Sequence, residues 1–129
     1  MPGKFLSAFI LKCEDPKPLA DFYKQALGLA LEQRGAEFSC MLGATHFAIH
    51  KGAATENLEL GIYIEDLEEF VSRLESRKIP IVDPIKQYPW ARSARIKDPL
   101  GNIIYLMELP ASSIIHIGQQ LAKDFPVSK

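Results

Sequence analysis

Apolar and polar positions run through the same change of rhythm twice along this chain. Residues 5–13 are a mostly apolar run, which predicts a strand. Glu14-Asp15-Pro16 ends it, and Pro16 and Pro18 suit the first turn of a helix. Leu19, Phe22, Tyr23, Ala26 and Leu27 then recur three and four apart, the spacing of one helical face, and Gly28 closes the helix. Residues 29–34, 36–42 and 45–51 read as three short strands, with turns at Arg34-Gly35 and Gly43-Ala44. A polar linker covers 52–57.

The order then restarts. Residues 58–64 predict a strand ended by Glu65-Asp66. The helix after it carries Leu67, Phe70, Val71 and Leu74 on one face and Glu68, Glu69, Arg73 and Glu75 on the other. Strands follow from Ile79 to about Lys86, over 90–97 and over 102–109, and the spacing of Ile114, Ile115, Ile117 and Leu121 predicts a C-terminal helix over about 112–123. A shift of 51 residues lays Leu11-Lys12-Cys13-Glu14-Asp15 on Ile62-Tyr63-Ile64-Glu65-Asp66, and Leu19 on Phe70. Such a repeat predicts two copies of one βαβββ unit around a common core. The fold class is therefore α+β in a single domain, module one covering about 4–52 and module two about 57–109.

Composition narrows the function. Fifteen basic residues against sixteen acidic ones leave a net charge of -1, which argues against a general nucleic-acid binder. No apolar stretch approaches the roughly 20 residues that span a membrane, and no early segment reads as a cleavable leader, so the expectation is a cytoplasmic protein. Cys13 and Cys40 lie in apolar runs and are expected to be buried, reduced thiols.

Three stretches carry a family likeness. Cys13-Glu14-Asp15-Pro16 leads through Asp21-Phe22-Tyr23 to Leu27-Gly28-Leu29, Ile64-Glu65-Asp66-Leu67 opens the second unit, and Asp98-Pro99-Leu100-Gly101-Asn102 is a tight turn feeding the last strand. Together they resemble the vicinal-oxygen-chelate superfamily, the glyoxalase I, bleomycin-resistance and extradiol-dioxygenase group, over roughly residues 5–109. The resemblance implies two modules whose sheets curl around a shared cavity, often completed in a homodimer. It also implies, for the metal enzymes of the group, four inward-facing His, Glu or Gln ligands, one on each of four strands.

Counting from the turn residues places Ala8, a position near Ala48, Glu59 and Tyr105 at those four sites. A methyl group cannot bind a metal and a phenol is a poor ligand for such an ion. One carboxylate, helped by His46 or His50 on the same strand face as Ala48, does not make a tight site. The metal candidates are thus the weak trio His46, His50 and Glu59, and no cofactor is expected. Leu60, Ile62 and Ile64 form an apolar face for the helix, which turns Glu59, Gly61 and Tyr63 toward the cavity. Glu59 is the best candidate for a general base or a cation-binding carboxylate. Tyr63, Trp90 and Tyr105 are candidate aromatic walls for a planar or cationic ligand, and His50 and Arg92 candidate polar contacts. Arg92 and Arg95 cannot both point inward at odd separation in one strand. Asp15, Asp66 and Asp98 end strands and read as turn and capping residues, and His116 reads as a surface residue.

The expected function is a metal-free glyoxalase/bleomycin-resistance-like protein, a homodimer as the resemblance implies, that holds a small aromatic or cationic molecule. The alternative is a divergent metal-dependent lyase, isomerase or dioxygenase built on Glu59 with His46 or His50 and a ligand from a partner subunit. A third possibility is a purely structural or regulatory dimer.

Overall fold

The computed structural model describes residue 4 and residues 6–89 and 91–108. Module one is β1 (Ala8–Cys13), α1 (Pro16–Leu27), β2 (Glu32–Arg34), β3 (Glu37–Leu42) and β4 (Thr45–Lys51). Module two is β5 (Glu59–Ile64), α2 (Leu67–Ser76), β6 (Asp83–Gln87), β7 (Arg92–Lys97) and β8 (Ile103–Glu108). The predicted order of strand, helix and three strands is present twice, in an α+β fold. The strand orders are β1-β4-β3-β2 and β5-β8-β7-β6, each sheet parallel at its first pair and antiparallel beyond it. Among the described residues the sheets share no ladder and are not closed into one barrel.

Each helix covers one face of its own sheet. From α1, Leu19, Ala20, Tyr23 and Ala26 meet Leu11, Phe38, Phe47 and Ile49; from α2, Leu67, Val71 and Leu74 join Ala94, Ile96, Ile104 and Leu106, all in one apolar core. Period-two alternation therefore points Ala8, Ile10, His46, Ala48, His50, Glu37, Ser39 and Met41 to the open face of module one. It points Glu59, Gly61, Tyr63, Tyr105, Met107, Ser93 and Arg95 to the open face of module two.

Several element ends differ from expectation. The strand expected from Ile79 begins at Asp83, because Pro80 has no N–H to give a ladder. Pro84 is tolerated because β6 is an edge strand. The second strand keeps only Glu32–Arg34. Asp66 caps α2 by accepting from the Glu69 N–H at 3.1 Å, whereas Asp15 sits at the N-cap of α1 without a side-chain bond, with proline in the first turn of that helix. Both cysteines are free thiols; Cys13 is buried but Cys40 only half-buried. Burial raises the pKa of each, so both stay protonated near neutrality. Trp90, the C-terminal helix and His116 lie outside the described residues.

The turn after β7 locks the modules together. Asp98 is only 5% exposed. Its Oδ1 accepts from the backbone N–H groups of Leu100 and Asn102, both at 2.9 Å. Its Oδ2 accepts from the Tyr23 hydroxyl of α1 at 2.9 Å and from Asn102 Nδ2 at 3.1 Å. Asn102 continues the network into the linker, donating to the Thr55 carbonyl at 3.0 Å and accepting from the Leu58 N–H at 2.9 Å. Gly101 holds the turn at φ 84, where an added methyl would meet no atom within 4 Å. Gly101→Ala is therefore expected to cost about 1–2 kcal/mol through the backbone alone. Urea unfolding checks this, with the denaturant midpoint lowered and the slope unchanged.

Candidate functional site

Registers fix which positions of the two modules correspond. Ala8 lies opposite His46 and Ile10 opposite Ala48, while Glu59 lies opposite Ile103 and Gly61 opposite Tyr105. Module two thus separates its first and last strands by 44 residues against 38 in module one, and its counterpart of Ala48 is Tyr105.

Module two carries a polar chain across its four strands. The Tyr105 hydroxyl of β8 donates to Glu59 Oε1 of β5 at 2.6 Å. Arg95 of β7 lies opposite Tyr105 in register, and its guanidinium carbon lies 5.7 Å from the ring centroid. On the far side Arg95 Nη2 pairs with Asp83 Oδ2 of β6. The Glu59 acceptor raises the Tyr105 pKa while the Arg95 donor pulls it down, and the net direction is upward. Tyr105 is therefore a neutral phenol at physiological pH. It is a hydrogen-bond donor and not a base.

Beside this chain lies a cavity of about 270 Å³ lined by Asp83, Tyr88, Ser93, Ala94, Arg95, Tyr105 and Met107. Gly61 keeps the floor next to it low: a methyl there would approach Met107 Sδ to 3.2 Å. Tyr63 stands on the same face beside Met107 in register and is 60% exposed.

The other candidates are placed elsewhere. Arg92 belongs to the helix-facing side, where it pairs with Glu68 of α2 at 2.7 Å and Glu108 at 3.1 Å, so the expectation that it lines the cavity is corrected. Glu108 in turn accepts from the Leu67 N–H at 2.8 Å, which ties this ion pair to the start of α2. His50 lies on module one, bonded to Glu37 Oε2 at 2.6 Å. His46 sits four residues from it in the same strand, a span of roughly 13 Å. The two histidines cannot share an ion. His46 instead borders a separate hollow of about 480 Å³ with Arg34, Met41 and Leu42.

Asp83, Ser93 and Met107 line the cavity although none was singled out as a contact, and of the two candidate arginines it is Arg95 that lines it. The apolar residues Ala94 and Ile96 held the signal for Arg95, since they place the odd-numbered positions of β7 on the opposite face.

Residues 6–106 match the model of the Glyoxalase/Bleomycin resistance protein/Dioxygenase superfamily. The chain belongs to this superfamily. The glyoxalase-type fold is shared with lactoylglutathione lyase from Agrobacterium tumefaciens at TM-score 0.71 and 19% identity, over 84% of this chain and 96% of that one. It is similar also to TnmS3, an antibiotic binding protein from Streptomyces sp. CB03234, at TM-score 0.71 and 24% identity, over 85% and 99% of the two chains. A glyoxalase/bleomycin resistance protein/dioxygenase from Nocardioides aligns at TM-score 0.67 and 17% identity, over 86% and 87%. No curated protein matches the chain.

The metal that this glyoxalase-type fold implies can be tested against the donors present. Ala8, Ala48, Glu59 and Tyr105 offer two methyl groups, one carboxylate and one phenol already engaged with that carboxylate. Among the described residues no three His, Cys, Asp or Glu side chains cluster. This set does not fit a divalent ion held by four protein ligands.

Proposed function

We propose that this glyoxalase/bleomycin-resistance-type protein is a metal-free binder of a small aromatic molecule bearing a cationic group, held on the open face of module two. The Tyr105–Glu59 bond of 2.6 Å carries the reading. It fixes a carboxylate beside a 270 Å³ cavity, with an aromatic ring as the wall between them. Glu59 gives one oxygen to Tyr105 and keeps the other for an ammonium or amidinium group. The Tyr105 ring, Tyr88 and Met107 supply flat and adaptable apolar surface for the body of the ligand. Exposed Tyr63 extends that wall.

The reading includes a homodimer, supported by the apolar Leu6, Ile10 and Met41 side chains that module one leaves exposed. It also places the protein in the cytoplasm, consistent with two free thiols. Among the described residues no helix is long and apolar enough to cross a membrane.

Calorimetric titration with phenethylamine, an aromatic monocation, tests the site. Saturable binding is expected, weakened about tenfold or more in Glu59→Gln and unchanged in Glu37→Gln on the other module. Equal binding by the wild type and Glu59→Gln contradicts the assignment. A melting-temperature rise with Zn, Ni, Mn or Fe that Glu59→Gln abolishes would instead favour a divergent metal-dependent enzyme.

A further inference from the structure

Among the described residues Arg95 is the one cation that lines the cavity, and a purely cationic ligand leaves its remaining donors without a role. Its guanidinium has five N–H groups and Nη2 pairs with Asp83, so donors remain. The side chain is 38% exposed and can be reached from the cavity. Glu59 and Arg95 flank one side chain, Tyr105: Glu59 accepts from its hydroxyl at 2.6 Å, and the Arg95 guanidinium lies 5.7 Å from its ring centroid. An anionic acceptor and a cationic donor thus stand on either side of Tyr105, on β5 and β7 of one open face.

We infer that the ligand is a zwitterion, with an ammonium and a carboxylate on one carbon as in an α-amino acid, carried on an aromatic or apolar side chain. The inference rests on the binding reading above and adds the anionic end to it. The ammonium meets the open oxygen of Glu59, and the carboxylate takes the free N–H fork of Arg95. Asp83 pairs with Nη2 of the same guanidinium and holds it on the open face. A bare cation would cover the remaining donors of Arg95 with apolar surface and leave them unpaired. A bare anion would approach two carboxylates, Glu59 and Asp83, with only one guanidinium to meet it. Only a ligand of both signs satisfies the chain from end to end. The cavity of about 270 Å³ lies at the small end for ligand sites and suits one large side chain against Tyr88 and Met107.

Three probes that differ only in the head group separate the possibilities: L-phenylalanine, phenethylamine without the carboxylate, and 3-phenylpropanoate without the amine. Titration of the unmodified protein is expected to rank L-phenylalanine about tenfold or more above each of the others, because a site built to pair both charges rejects a ligand lacking one. Arg95→Gln should remove that advantage, so that L-phenylalanine no longer binds more tightly than phenethylamine. Phenethylamine binding as tightly as L-phenylalanine, with Arg95→Gln silent, overturns the zwitterion and leaves the cation-binding site intact. Preference for 3-phenylpropanoate with no effect of Glu59→Gln overturns both readings, as does saturable binding by none of the three. The ranking on the unmodified chain decides the matter even where Arg95→Gln, which strips Asp83 of its partner, fails to fold.

Discussion

Asp98→Ala is expected to lower the unfolding free energy by on the order of 3–5 kcal/mol, among the largest effects a single polar substitution can have. The carboxylate is buried and takes four hydrogen bonds, two from the backbone of its own turn and two from the side chains of Tyr23 and Asn102. Alanine leaves all four donors without their acceptor, and each buried unpaired donor carries its full desolvation cost. The loss also spreads. Asn102 positions the Leu58 N–H at the entry to β5 and the Thr55 carbonyl in the linker, so loosening the turn loosens the junction between modules. Equilibrium urea unfolding measures the effect as a lower midpoint. A loss under about 1 kcal/mol would mean that water replaces the network at little cost, contrary to its burial.

The second large effect is alkaline. Burial and the neighbouring Asp98 carboxylate raise the Tyr23 pKa far above the tyrosine value of about 10. In the unfolded chain this phenol ionises near pH 10, whereas in the folded protein it stays protonated well beyond that. Its contribution is therefore fully present below about pH 10 and is lost as the pH rises from there toward the folded pKa. The expected slope is about 1.4 kcal/mol per pH unit. Tyr23→Phe removes this dependence. At neutral pH the variant is less stable by on the order of 1–3 kcal/mol, since Asp98 loses a buried donor. Above pH 10 its deficit against the wild type shrinks. A deficit that stays constant across that range would contradict the assignment.

The sequence disclosed the parts of this structure that depend on local chemistry. Proline after Asp15, glycine at 28 and the β-branched runs are enough to set α1 and the strands around it. The alternation of Leu60, Ile62 and Ile64 is enough to set which face carries Glu59. What it did not disclose depends on pairing between distant segments. Arg92 and Arg95 are both candidates until the register of β7 on β8 and the position of Glu68 on α2 decide between them. The Tyr23–Asp98 bond joins residues 75 positions apart, and neither residue advertises it. His46 and His50 read as a pair because they share a face, but strand rise keeps them apart.

The measurement closest to the central claim is amide chemical-shift mapping by NMR during titration with phenethylamine. The binding reading predicts that shifts concentrate at Glu59, Gly61, Ser93, Arg95, Tyr105 and Met107, on the open face of module two. Shifts centred instead on Arg34, Met41 and His46 around the hollow of module one, or scattered over the surface, would contradict it.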